Sequence, residues 1–257
     1  MGYEYKKEGK FNYLEAGEGR PIIILHGLMG NLSNFDSVFE YFSSKGYKIL
    51  MPELPIYKLP IIKTNVKNLA KFIKKFTEHK QLDNYILLGN SLGGHIAQVY
   101  ALNNLENVNS LILTGSSGLF ENSLGDGYPK KEDKDYIRRK TELTFFDPKN
   151  ATDELVDEVF ETVNNRAKAI RVVTMAKSAV RHNLKKELHK LNIPIKLIWG
   201  KNDTITPPFV AEEFLKLLPK ASLEFINNCG HAAMMERPNT FNVMLMDFLT
   251  SLYKEND

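Results

Sequence analysis

Cysteine is nearly missing: the 257-residue chain has one, Cys229. A single thiol cannot build a disulfide framework within the chain or a cysteine-based zinc site. No apolar run approaches the roughly 20 residues that a membrane-crossing helix needs. The opening MGYEYKKEGK holds no apolar core of the secretory kind, and Lys6 stands where an N-myristoylation signal requires serine or threonine. We therefore expect a cytoplasmic protein without a membrane span. A net charge of only +3 gives no reason to expect nucleic acid as a partner. Repeats and low-complexity tracts are absent. So are HExxH, the phosphate-binding loop and the dinucleotide fingerprint, and we expect no metal and no organic cofactor.

What is present is an alternation. Residues 3–7 and 10–15 read as two short strands around Glu8-Gly9-Lys10, a hairpin signal. PIIILHG, YKILMPE, YILLGN, VNSLILTG and PIKLIWG are continuous apolar runs, and ASLEFIN is a shorter one. Continuous rather than alternating runs point to strands covered on both faces, as in a parallel sheet. Between them, about 34–45, 65–79, 91–104, 208–218 and 238–253 carry helical spacing. This is the pattern of a three-layer α/β sandwich. From 119 to 191 there is no strand run. KKEDKDYIRRK is charged, TDELVDEVFETV starts like a capped helix, and RAKAIRVVTMAKSAVRHNLKKELHKL reads as one long amphipathic helix or two. We expect 1–118 and 192–257 to form the core and 119–191 a helical insertion.

The stretch YILLGNSLGGHIAQVYAL places Gly89-x-Ser91-x-Gly93 between a strand and a helix. A serine in that context can occupy a strained turn at positive φ, with small neighbours allowing the chain to reverse. The helix N-terminus then favours developing negative charge. A serine hydroxyl needs a base, and the base an orienting acid. His231 follows the last strand in NNCGHAAMMERP, and Asp203 follows PIKLIWG in WGKNDTITPP. Both fall at carboxyl ends of strands, where open α/β sheets keep their sites. The backbone amides of Leu28, in HGLMGN, and of Leu92 are the expected oxyanion donors, each supplying about 2.7–4 kcal/mol in the transition state. His26 is expected to hold the HGLMGN loop by hydrogen bonds, since no acid is placed to orient it as a base. His95 is expected to pack, with a place on the pocket rim as the alternative, and Cys229 to be a small buried side chain, with a redox-sensitive thiol as the alternative.

On His26-Gly27 with Gly30, Gly89-Asn90-Ser91-Leu92-Gly93-Gly94, Trp199-Gly200 with Asp203 and Pro207, and Gly230-His231, the chain resembles the α/β-hydrolase superfamily along essentially its whole length. The resemblance implies a mostly parallel eight-stranded sheet with a helical cap, here 119–191. In detail it is similar to the capped esterase and carbon–carbon hydrolase branch, which includes pimeloyl-carrier-protein methyl esterases. Ser91 differs from the dehalogenases and epoxide hydrolases, which place Asp there. Where members often carry Asp-x-x-Gly-x-Gly-x-Ser, this chain has PELPIYKLPIIKT, with three prolines and no glycine. Where some relatives take their acid after strand six, LTGSSGLF offers only Ser116 and Ser117, which favours Asp203.

The expected reaction is cleavage of a carboxylic ester or thioester through an acyl-enzyme. Hydrolysis of a carbon–carbon bond by the same three residues is the alternative, and a ligand-binding member without catalysis is a third reading. An apolar pocket is expected from Met29, Phe35, Leu119, Phe120, Phe145, Phe146, Met175 and Met234, with Leu28 beside them. From Arg166 to Lys190 there are eight Lys or Arg residues and one acid, Glu187. Lys177, Arg181 and Lys185 recur every four residues beside an apolar stripe of Val173, Ala176, Val180 and Leu184. That face suggests either a solvated surface or a dock for an anionic acyl carrier.

Overall fold

The computed structural model describes residues 5–120 and 130–254. Eight strands form one sheet: β1 (Tyr5–Glu8), β2 (Phe11–Ala16), β3 (Arg20–Leu25), β4 (Tyr47–Pro52), β5 (Tyr85–Asn90), β6 (Val108–Thr114), β7 (Ile195–Gly200) and β8 (Ala221–Ile226). Their order is β1-β2-β4-β3-β5-β6-β7-β8. The pairings of β1 with β2 and of β2 with β4 are antiparallel, and the rest are parallel. The helices are α1 (Asp36–Ser43), α2 (Val66–His79), α3 (Leu92–Ala101), α4 (Lys134–Glu142), α5 (Asp153–Asn164), α6 (Arg166–Arg181), α7 (Pro208–Leu217), α8 (Ala233–Glu236) and α9 (Pro238–Lys254). Among the described residues no helix is long and apolar enough to cross a membrane.

Strand periodicity builds two cores from one sheet. Successive side chains of a strand point to opposite faces. In β3, Ile23 and Leu25 pack with Leu69, Ile73 and Ile96 of α2 and α3. Ile22 and Ile24 pack on the other face with Val38, Phe241 and Leu245 of α1 and α9. Both faces are covered, which is why the runs read as continuous apolar segments. The order reverses between β3 and β5, since β4 lies on one side of β3 and β5 on the other. At such a switch point the loops leaving the carboxyl ends diverge and open a crevice. Here those loops are HGLMGN and the turn at Ser91.

Between β6 and β7 lie α4, α5 and α6. Asp133 caps α4 through the Tyr136 amide and Thr152 caps α5 through the Leu155 amide. Asn165 closes α5 and caps α6, accepting from the amides of Ala167 and Lys168. The basic stretch behaves differently from its sequence reading. The last helix ends at Arg181, so Lys185 is off the face that Lys177 and Arg181 share, and it pairs with Glu213 at 2.9 Å. The apolar stripe is also rotated. Val172, Met175, Ala176 and Ala179 are buried, whereas Val173 and Val180 are exposed. The segment contains two apolar phases, and the small Ala176 and Ala179 allow the closer approach. Ser178 Oγ fixes that rotation by accepting the Val66 amide at 3.2 Å.

Candidate active site

Ser91 directly follows β5 and precedes α3, with φ 54° and ψ −120°. Backbone of that kind costs a non-glycine residue on the order of 1–3 kcal/mol and persists only when its surroundings impose it. Backbone hydrogen bonds do so. The Ser91 amide donates to Thr114 O at 3.1 Å, and Ser91 O accepts from the amides of His95 and Ser117, both at 3.2 Å. The spacing of glycines has a direct steric cause. A Cβ on Gly93 would stand 2.0 Å from Leu25 O, so no side chain fits where α3 crosses the end of β3.

Asp203 follows β7 and is buried. Its Oδ1 accepts the amides of Ile205 at 2.8 Å and Thr206 at 2.9 Å. Its Oδ2 accepts the Thr206 hydroxyl at 2.8 Å and His231 Nδ1–H at 2.8 Å. With Nδ1 donating, the proton-accepting nitrogen of a neutral His231 is Nε2. The imidazole sits over Gly115, whose φ is +50° and where a Cβ would come within 2.8 Å of Nδ1. His231 is held by its main chain too: its amide donates to Thr144 O at 2.7 Å, and its carbonyl accepts Asn90 Nδ2 at 3.2 Å.

A cavity of about 340 Å³ opens on this arrangement. Ser91 and His231 line it together with Leu28, Met29, Phe145, Leu155, Val159 and Met235. Among the described residues one lysine, Lys140, lines it and no carboxylate does. The loop carrying Leu28 closes through Gly30 N–H to Gly27 O at 3.2 Å, with Met29 at φ 63°. His26 pins it: Nε2 accepts the Leu54 amide at 3.3 Å and Nδ1 donates to Gly27 O at 2.9 Å. Burial lowers the imidazole's pKa, consistent with a neutral structural histidine. Leu92 supplies the first N–H of α3, which has no carbonyl within the helix to receive it.

Several expected pocket residues lie elsewhere. Phe35 is buried in the core beneath α1, and Met234 is buried in the same cluster, leaving its neighbour Met235 on the cavity. Met175 is fully buried under α6. Phe120 is exposed against Phe209, with ring centroids 5.4 Å apart. Phe146 is exposed, and its amide is bound by Glu236. Leu119 packs on the core. For Met175 and Met234 the direction depends on the rotation of their helices, whereas Leu119, Phe120 and Phe146 lie in irregular backbone whose course no periodicity carries. Cys229 is buried, and that burial, with the Glu236 charge, pushes its thiol up to about 12.

Two further polar residues, Thr206 and Glu236, belong to the site. Thr206 bonds Asp203 and lies 3.3 Å from His231 Nδ1. Its signal is local: an acid followed three residues on by a hydroxyl is a common capping pattern. Glu236 is buried and accepts the amides of Phe146, Asp147 and Gly230 at 3.1, 2.7 and 2.7 Å. It ties the segment between α4 and α5 to the His231 loop. Among the described residues no group of three or more His, Cys, Asp or Glu side chains could hold a metal ion.

Comparison with known proteins agrees with this architecture. The family model described as alpha/beta hydrolase fold matches residues 20–238. A 2-hydroxy-6-oxononadienedioate/2-hydroxy-6-oxononatrienedioate hydrolase of Pseudomonas putida is 26% identical over 93% of this chain and 91% of its own length. A monoacylglycerol lipase of Bos taurus is 25% identical over the whole chain and 85% of its own. The crystal structure of an alpha/beta hydrolase enzyme from the metagenome of lagoon sediments at Mar Chica, Morocco, is 48% identical. It superposes with a TM-score of 0.81, covering 96% of this chain and 98% of that one.

Proposed function

Because the chain belongs to the alpha/beta hydrolase fold family, we propose that it hydrolyses a carboxylic ester or thioester through a covalent acyl-enzyme on Ser91. The observation that carries this reading is the placement of Ser91 and His231 on one cavity, with Asp203 bonded behind the imidazole. Ser91 Oγ attacks the carbonyl carbon while His231 Nε2 takes its proton. Asp203 holds the tautomer and stabilises the imidazolium. The amides of Leu28 and Leu92 receive the oxyanion. The imidazolium then protonates the leaving alcohol or thiol, and water, activated by the same nitrogen, releases the acid.

A second reading uses the same residues on a carbon–carbon bond. The Pseudomonas putida relative acts on a compound whose name carries a ketone and two carboxylates but no ester. Hydrolysis there breaks a carbon–carbon bond. For either substrate the cavity favours an apolar body, with Lys140 the one cationic side chain among the described residues to meet a negative group. We keep a small molecule as the substrate. A docked acyl carrier has less support, because Lys185 is engaged by Glu213 and does not share the face of Lys177 and Arg181.

The test is a panel of short p-nitrophenyl esters, thioesters and vinylogous diketones, run on the native chain and on Ser91→Ala. We expect ester turnover that falls by about 10⁴-fold or more in the variant, with folding unchanged. Turnover of diketones alone would favour the second reading.

A further inference from the structure

A second cavity, of about 400 Å³, lies between α2, the end of α3 and the segment after α6. The two cavities have no described lining residue in common. Lys67, Lys71 and Lys74 stand on one side of the second, at positions i, i+4 and i+7 of α2. Like charges so spaced repel one another. Some surface lysines are neutralised, Lys80 by Glu8 and Glu15 and Lys185 by Glu213; what sets Lys67, Lys71 and Lys74 apart is that they share one helix face on one cavity. Among the described residues none of the three joins an ion pair. The one carboxylate among the described lining residues, Glu187, faces Lys190 at 3.9 Å.

The rest of the lining differs in character. Val99, Leu102 and Leu184 are apolar, and His182 lines the cavity with them. Burial, and then the charge of Lys67, depress the pKa of His182, while Glu187 opposes them. Three lysines against the single carboxylate of Glu187 leave the described lining with an excess of positive charge. His182 Nδ1 also lies 3.2 Å from Nε2 of His95, which is fully buried one turn after Ser91. The cavity thus combines ammonium groups outside any ion pair among the described residues, an imidazole and an aliphatic floor.

We propose that this second cavity binds a small amphiphilic anion, a carboxylate or phosphate head on a short alkyl chain. The head lies against Lys67, Lys71 and His182, and the chain on Val99, Leu102 and Leu184. Ammonium groups bind either head as point charges, and the aliphatic floor excludes an anion's hydration shell from one side only. The site is independent of the ester-hydrolysis reading, because none of its residues lines the first cavity.

The test is a histidine-labelled NMR titration of the full chain, with the His182 imidazole assigned through His182→Gln. The probes are hexanoate, hexyl phosphate, inorganic phosphate and hexanol. Hexanoate or hexyl phosphate is expected to shift His182 saturably. Whichever of the two binds tighter identifies the head group. Inorganic phosphate needs about tenfold more, and hexanol leaves His182 unmoved. In Lys67→Gln/Lys71→Gln the Kd rises about tenfold at low salt and less at high salt, with p-nitrophenyl ester turnover unchanged. Three results overturn the proposal: no His182 shift with either amphiphile, an unchanged Kd in the double variant, or shifts confined to His231. A chain without esterase activity that still shows the His182 response would sink only the reading of the first cavity.

Discussion

Asn90 Nδ2 donates to the main-chain oxygen of His231 at 3.2 Å, across 141 residues of sequence. The residue before Ser91 thus holds the residue proposed as its base. The same amide group donates to Thr114 O at 3.0 Å, and the His231 amide donates to Thr144 O, just after α4. Backbone bonds on both sides set where the imidazole sits. Such preorganisation is what a proton transfer requires of its base.

Thr206 is a positioning residue in this account. Thr206→Val keeps the shape and removes the hydroxyl that Asp203 Oδ2 accepts. A hydrogen bond to a charged group contributes about 1.5–3 kcal/mol, so kcat/KM on a short ester should fall by about tenfold or more. Thr206→Ser should restore most of it. Steady-state kinetics of both variants, with KM nearly constant, checks this.

Glu236 joins the segment between α4 and α5 to the His231 loop through three backbone amides. Removing it strands those donors in a buried setting. Glu236→Ala should lose about 3 kcal/mol or more of stability by urea unfolding. Glu236→Gln, which keeps one acceptor oxygen, should lose less.

His95 is fully buried, and burial followed by the neighbouring His182 lowers it to about 3. The unfolded chain takes up a proton near the ordinary histidine range, whereas the folded chain resists until about 3. Between those values the unfolded state binds more protons, so stability falls as pH falls through that window. His95→Gln should flatten the slope of unfolding free energy against pH from about 6.5 down to about 4. An unchanged slope would assign that pH dependence to other groups.

The sheet was readable because strands covered on both faces keep an apolar run that stops at or near a glycine, as at Gly27 and Gly89. The common edge of Ser91, Asp203 and His231 was readable for a related reason: each follows a strand within a few residues, so the sheet's topology alone brings them there. The cavity wall was readable only in part: Leu28, Met29 and Phe145 line it, and the other expected residues do not. Whether Val172 and Ala179 or Val173 and Val180 form the buried face of α6 depends on helix rotation, which Ser178 settles through a bond to Val66. Met234 and Met235 are adjacent, and the single turn of α8 decides which faces the cavity. Glu236 acts on amides 6 to 90 residues away, a relation that no local pattern carries.

The most direct measurement is mass spectrometry after reaction with a fluorophosphonate probe. One adduct per chain, on the peptide containing Ser91 and lost in both Ser91→Ala and His231→Ala, is the predicted result. An adduct on a different serine, or esterase activity that survives Ser91→Ala undiminished, would contradict the account.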